Sequence, residues 1–257
     1  MDVSDLSSVR KAAKTFLQHS IDQPLDMLFL NAGIGMDPDL FEKGITKLPL
    51  SKDGIEKYFA TNIVGHHLLY RYLEPVLQKS KMARVISTSS VASIWWLPKT
   101  EAKDIMIPKS LPELNEGEPS FFTVNTVKQL YGRSKLAQVA WTKALTRRLD
   151  DQSTIYVNAA HPGAVATRML AEPNEFFLPK FVADFVIYLI SKILWTSEEG
   201  ALTELYLGVA TDEIRSKNIR GTYFHPVAYE FEHPYANDEV LQDNVWNLCE
   251  DLVKKFL

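Results

Sequence analysis

The sequence predicts an α/β fold in one domain, with a doubly wound, largely parallel sheet. Three observations carry that expectation. Short apolar runs alternate with longer helix-like segments, and those runs are apolar on both faces, as strands covered by helices on both sides must be. No internal repeat or Gly/Ser-rich linker divides the 257 residues, 46% of them apolar, so the chain suits a single sizeable core.

In chain order the elements read as follows. A helix is expected over 5–19. The run "LDMLFLNAG" (25–33) reads as a strand, followed by a helix over 52–79. The run "ARVISTSS" (83–90) is the second strand, and 124–151 the helix after it. Between them, 97–123 is rich in proline and charge and reads as a long surface insertion. The third strand is "TIYVNAAHPG" (154–163), and a helical stretch over 181–214 is expected to break near Thr196–Ser197. A weaker strand, "RGTYFHPVA" (220–228), precedes a last helix over 238–256, whose start is marked by Asn237, Asp238 and Glu239.

The net charge is −4, with no face-long cluster of Lys or Arg, so nucleic acid is not an expected partner. Cys249 is the single cysteine, which excludes a disulfide within the chain and fits a reducing compartment. The apolar stretch 176–195 has the length of a span but carries Lys180, Asp184 and Lys192. Charges at that depth are costly, so a buried or interfacial amphipathic helix is expected, and peripheral membrane contact stays open.

In open α/β sheets, ligands sit beyond the carboxyl ends of the strands. Those ends here are "NAG", "STSS" and "HPGAVAT", small and polar. One pattern occurs twice: Tyr-x-x-Ser-Lys at Tyr131–Lys135 and at Tyr188–Lys192. Residues four apart share a helix face, so each could join a phenol to an ammonium. The spacing alone arises by chance about once in such a chain, so context decides. Tyr188 and Lys192 lie in a nearly all-apolar segment, where a core tyrosine and a snorkelling lysine are expected. Tyr131 and Lys135 open a helix running between two polar strand ends, which makes them the candidate reactive pair. "GIG" at 33–35 is no phosphate loop, since it lacks a third glycine and no helix follows. His161 is expected to be a turn or core residue, and Trp95 and Trp96 line a pocket or simply pack.

Five motifs together, "LNAG" (30–33), "TNIVG" (61–65), "VISTSS" (85–90), "YGRSK" (131–135) and "HPGAVAT" (161–167), stand in the order used by short-chain dehydrogenases/reductases. The chain resembles that family over nearly its whole length. The gap from Ser90 to Tyr131 and the ending "HPYANDEV…VWNLCEDLV" are similar to the retinol-dehydrogenase and WW-domain-oxidoreductase branch. The resemblance implies a Rossmann-type fold and hydride transfer between NADP or NAD and an alcohol or carbonyl. The expected substrate is small and hydrophobic: a retinoid, steroid or lipid-like molecule. It also implies a cytoplasmic or membrane-peripheral location and admits a homo-oligomer.

Roles carry over residue by residue on the same footing. Tyr131 would be the acid/base, and Lys135 would tune it and hold the nicotinamide ribose. Ser90 would orient the reacting oxygen, and Asn62 would link Lys135 to solvent for proton resupply. An ammonium about 5 Å from the phenol, at an effective dielectric near 20, would favour the phenolate by about 3 kcal/mol. Asp2 and Val3 would border the adenine; Asn31, Ala32 and Gly33 would line the cofactor; Pro162, Gly163 and Thr167 would meet the carboxamide. The family's chain opens with a strand, a Gly-rich turn and a helix whose N-terminus binds the pyrophosphate. No such turn precedes Asp2, so the expectation is a chain lacking its first βαβ unit, on the order of 50–60 residues. "MLFLNAG" would then be an edge strand. A non-catalytic fragment acting only through protein contact is the alternative.

Overall fold

Strands β2 (Ala83–Thr88) and β3 (Ile155–Ala160) are buried at every residue, which requires cover on both faces. The computed structural model describes residues 1–20, 23–35, 48–97, 107–116, 124–165 and 194–257. In it these two strands form the middle of a five-stranded sheet of order β1-β2-β3-β4-β5. β1 (Met27–Leu30) runs parallel to β2, with Leu28 opposite Val85. β2 is parallel to β3, and β3 to β4 (Tyr223–His225). β5 (Tyr229–Glu230) joins the far side antiparallel. The expected last strand over 220–228 is therefore shorter and bends into a hairpin. Pro226 has no N–H for the ladder, and Ala228 at φ 53° turns the chain back.

Side chains alternate across the sheet as a two-residue period dictates. Leu28, Leu30, Val85, Ile155, Val157 and Ala159 enter one core with Leu68, Leu136, Ala140 and Trp141. Ile86, Tyr156 and Ala160 enter a second, smaller core with Leu207, Ile214 and Phe224. On the first face lie α1 (Leu6–His19), α3 (Gly65–Leu77), α6 (Val124–Arg148) and α9 (Glu239–Val253). α1 packs on α3, and α9 on α6. On the second face lies α7 (Ser197–Val209), followed by the short α8 (Thr211–Ser216). The sheet is thus wound on both sides, as the sequence predicts.

Several boundaries differ for local reasons. The helix expected over 52–79 starts only at Lys57, because Ser51–Ile55 forms a tight turn closed by Ser51 N–H on the Ile55 carbonyl at 2.7 Å. It consists of α2 (Lys57–Phe59), a π-helical turn (Ala60–Val64) and α3. Asp238 caps α9, accepting from Val240 and Leu241, whereas Asn237 bonds Glu232. Thr196 caps α7 in a reciprocal pair with Glu199, at the expected break. The first part of the helical stretch expected over 181–214, with Tyr188 and Lys192, lies outside the described residues. So do Thr167 and nearly all of 176–195. Among the described residues no helix is long and apolar enough to cross a membrane.

Within the stretch expected to be a surface insertion, residues 107–116 reach the core. Ile107 and Leu114 are buried, and α5 (Leu111–Asn115) docks through its last side chain. Asn115 accepts from the Glu56 N–H at 3.1 Å and donates to the Gly54 carbonyl at 2.7 Å.

The C-terminal helix is tied down by one buried charge group. His67 on α3 accepts from Trp141 Nε1 at 2.9 Å and lies 3.0 Å from a Glu250 carboxylate oxygen, which Arg71 also contacts. Burial pushes the Glu250 carboxyl up, but bonds from His67 and Arg71 outweigh it and hold it at about 2, below its ordinary 4.5. A depressed carboxyl contributes stability that is complete above its ordinary pKa and is lost as pH falls toward the folded value. Glu250→Gln is therefore expected to cost about 2 kcal/mol at pH 7 and to flatten the loss of stability between pH 4.5 and 2. Urea unfolding at both ends of that range measures it; equal stabilities at pH 7 would show the group to be idle.

Candidate active site

Three consecutive residues at the carboxyl end of β2 meet α6. Lys135 Nζ donates to the Thr88 carbonyl at 2.9 Å. Ser89 Oγ donates to the Lys135 carbonyl at 2.7 Å. Ser90, one residue on, is near enough to the Tyr131 hydroxyl to lower its pKa. The strand ends where α6 passes, so main-chain groups left over from the ladder find partners on the helix. Gly132 makes the approach close enough: a Cβ there would stand 2.8 Å from the Ala92 carbonyl and 3.2 Å from Trp96 Cβ. Tyr131 consequently sits between aromatic neighbours, with Trp96 at 5.3 Å and Tyr58 at 6.4 Å between ring centroids. Trp95, by contrast, is 72% exposed. Of the two tryptophans, Trp96 alone meets the tyrosine.

Asn62 occupies the middle of the π-helical turn, fully buried. Such turns break the helical ladder and often mark functional positions. Its side chain is entirely spent. Nδ2 donates to Ser134 Oγ at 2.9 Å and to the Ile34 carbonyl at 3.2 Å, and Oδ1 accepts from Ile34 N–H at 2.9 Å. Ser134 in turn donates to the Tyr131 carbonyl at 2.8 Å. Asn62 therefore fastens the loop after β1 to the helix that bears Tyr131 and Lys135.

The electrostatics correct one expectation. The phenol is not depressed by the lysine; burial raises it, against a lowering by the nearby Ser90 hydroxyl. The reason is geometric. Lys135 Nζ lies 5.5 Å from the Tyr131 ring centroid and is turned to the Thr88 carbonyl. Burial also weakens its own charge, bringing the lysine down to about 8 against the opposing effect of Glu204. At neutral pH the phenol is protonated and the ammonium is largely retained.

The expected cofactor residues divide into two groups. Asn31, Ala32 and Gly33 stand exposed just beyond β1. A Cβ at Gly33 would lie 3.0 Å from Asn62 Oδ1 and 3.6 Å from Lys135 Nζ, so only glycine leaves the lysine head open from that side. Pro162 and Gly163 follow β3; Gly163 takes φ +92°, and a Cβ there would meet the Trp195 and Pro226 rings at 3.3 Å. Asp2 and Val3 are not part of that cluster. The Asp2 carboxylate takes the Ser4 N–H and hydroxyl, and Val3 is buried with its carbonyl against Gly65, three residues past Asn62. His161 is a turn residue, accepting from Gly163 N–H at 3.3 Å.

Sequence reasoning missed several participants. Thr88 and Ser89 are the neighbours of Ser90 in "TSS", and Ser134 is the serine of "YGRSK" itself. Ser93 and His233 form a further support. His233 Nδ1 accepts two main-chain N–H groups at 3.2 Å, so its Nε2 carries the proton toward Ser93 Oγ at 3.0 Å. Ser93 donates to the Ser90 carbonyl at 2.6 Å. Glu204 on α7 accepts from Thr88 Oγ1 at 2.5 Å. No local pattern could have revealed His233 or Glu204, each over 100 residues from its partner.

Comparison with known proteins agrees with this geometry. The short chain dehydrogenase family model matches residues 1–100. The chain is 29% identical over 261 residues to short-chain dehydrogenase TIC 32 A, chloroplastic, of Brassica napus, covering 99% of this chain and 71% of that protein. It is 29% identical over 258 residues to mouse retinol dehydrogenase 14, covering 98% and 66%. A crystal structure of an uncharacterized protein from Mycobacterium paratuberculosis superposes with a TM-score of 0.60 at 26% identity, over 99% of this chain and 74% of that one. NADPH-bound carbonyl reductase from chicken fatty liver shares the fold, with a TM-score of 0.54 at 18% identity, over 91% and 75%. Matched by the family model over its first 100 residues, by relatives along nearly all its length and by solved folds, the chain is similar to the short-chain dehydrogenases.

Proposed function

We propose that this protein interconverts an alcohol and a carbonyl on a small hydrophobic substrate, using NADP or NAD. The observation that carries the reading is the buried Lys135 ammonium, 5.5 Å from the Tyr131 ring and held on the Thr88 carbonyl at the end of β2, with Ser90 close to the phenol. When bound, the nicotinamide supplies or takes up the hydride. The chain's own groups handle the proton and the geometry. Tyr131 holds a proton at its hydroxyl, ready for the oxygen of a carbonyl substrate. Ser90 stands close to that hydroxyl and so fixes where the substrate oxygen can sit. Lys135, with Gly33, Pro162 and Gly163, would hold the cofactor's nicotinamide end, and Asn62 keeps both helix and loop in register for it. Thr167 is assigned to the carboxamide, and Asp2 and Val3 to the adenine side, on family resemblance. A hydrophobic substrate is supported by the aromatic neighbours Trp96 and Tyr58 and by the retinol dehydrogenases among the relatives.

A second reading is favoured by one feature. β1 pairs only with β2 among the described residues, and its Met27 and Phe29 are each 39% exposed. An open edge of that kind recruits other strands, so a chain without cofactor affinity would act through protein contact alone. Fluorescence titration with NADPH and with NADH separates the two: saturable binding supports the enzyme, and none up to about 1 mM, a very weak affinity, supports the contact reading.

Tyr131→Phe is expected to cut carbonyl reduction by about 10²-fold or more while cofactor binding in the same titration stays nearly unchanged. Undiminished turnover would remove Tyr131 from the reaction. Reduction should also depend on pH with a defined sign. The phenol stays protonated, whereas the lysine loses its charge as pH rises through about 8. The rate should be level below that value and fall above it, as kcat/KM measured from pH 6 to 9.5 would reveal; a rate rising across that range would contradict the assignment.

A further inference from the structure

Glu204 lies on α7, on the face of the sheet opposite α6, yet its carboxylate reaches the same site. Thr88 is the junction. Its hydroxyl donates to Glu204 at 2.5 Å, and its carbonyl accepts from Lys135 Nζ at 2.9 Å. One residue at the end of β2 therefore carries the ammonium on its main chain and the carboxylate on its side chain.

We propose that Glu204 is a positioning residue that keeps Lys135 charged and directed at the end of β2, acting through Thr88. This rests on the reading of Lys135 as the cation beside the acid. Four titratable groups face that lysine among the described residues. Tyr131 comes from its own helix, His66 from α3, His161 from the end of β3 and Glu204 from α7. Burial, then the nearby charge, holds His66 at about 3; burial, with His225 and Lys135, holds His161 at about 4. Both are neutral at pH 7. Tyr131 keeps its proton. Glu204 is thus the one anion of the four. Burial raises its carboxyl, and the Thr88 hydroxyl and the Lys135 charge oppose that rise. A buried ammonium and a half-buried carboxylate on one threonine stabilise each other more than water would allow. Removing the anion leaves the ammonium with burial and only the neutral Thr88 carbonyl to offset it.

The test reads the lysine directly. The full chain, without cofactor, is labelled with trace acetic anhydride across a pH series, and mass spectrometry of each lysine peptide gives its titration. In Glu204→Gln, Lys135 is expected to titrate about one pH unit lower, a roughly tenfold loss of ammonium above its midpoint. Glu204→Asp should recover much of the wild-type curve, and Lys217, which pairs with Glu213 on α8 and its following turn, should not move. A Lys135 curve in Glu204→Gln that superimposes on wild type would overturn the proposal. Should circular dichroism show that variant unfolded, Thr88→Val decides: it deletes the hydroxyl link, keeps the carbonyl, and must also lower the Lys135 midpoint. Turnover of Tyr131→Phe judges the reaction, and the Lys135 titration judges Glu204 separately.

Discussion

A lysine ammonium only 5% exposed is the constraint around which this site is arranged. Leaving such a charge without partners costs several kcal/mol, so the fold must supply an acceptor in a fixed place. It does so with the Thr88 carbonyl, the last of β2. From that requirement follow the register of α6 against the sheet and the position of Tyr131 one turn earlier. Ser89 on the Lys135 carbonyl repeats the contact one residue on. Two neighbouring residues bonded to one helix leave that helix little freedom to slide or rotate. The reactive groups inherit their precision from a strand–helix seam rather than from a loop.

The π-helical turn serves the same end from the other side. A regular helix would direct the Asn62 side chain to a packed face; the irregular turn aims it at both Ile34 and Ser134. Its three hydrogen bonds use the whole amide, so this side chain is a brace.

The fold was legible because its signals are local and repeated. β2 and β3 are short runs apolar on both faces, and Asp238 and Thr196 cap helices in the way their chemistry dictates. The candidate set was found for a different reason: five motifs in family order pointed to Tyr131, Lys135, Ser90 and Asn62, and the fold places those four near one another. What escaped the sequence is everything that depends on distance in the chain. Glu204 meets Thr88 only because α7 crosses under β2, and His233 meets Ser93 only because the chain returns beside α4 (Ala92–Trp95) before α9. The buried Ile107 and Leu114 escaped because a stretch dense in proline and charge gives no periodic pattern, although two apolar side chains suffice to anchor it. The lysine's effect on the phenol was misjudged through geometry: four residues apart on a helix fixes a shared face, not the direction in which an ammonium points.

That last point bears on the direction of the chemistry. Burial moves the two groups apart, the phenol upward and the lysine down to about 8. A protonated phenol is already competent to deliver its proton to a carbonyl oxygen. To accept one at neutral pH it must become phenolate in a site that penalises negative charge, with an ammonium whose own charge is partly spent on Thr88 and Glu204. The described residues alone therefore favour proton delivery over proton removal. Balance could be shifted only by further positive charge brought near the hydroxyl, or by weakening the hold of Thr88 on the lysine so that its head turns to the phenol. The carboxylate on the far face of the sheet thus sets more than the lysine's charge: by drawing that charge toward β2, it withholds it from Tyr131.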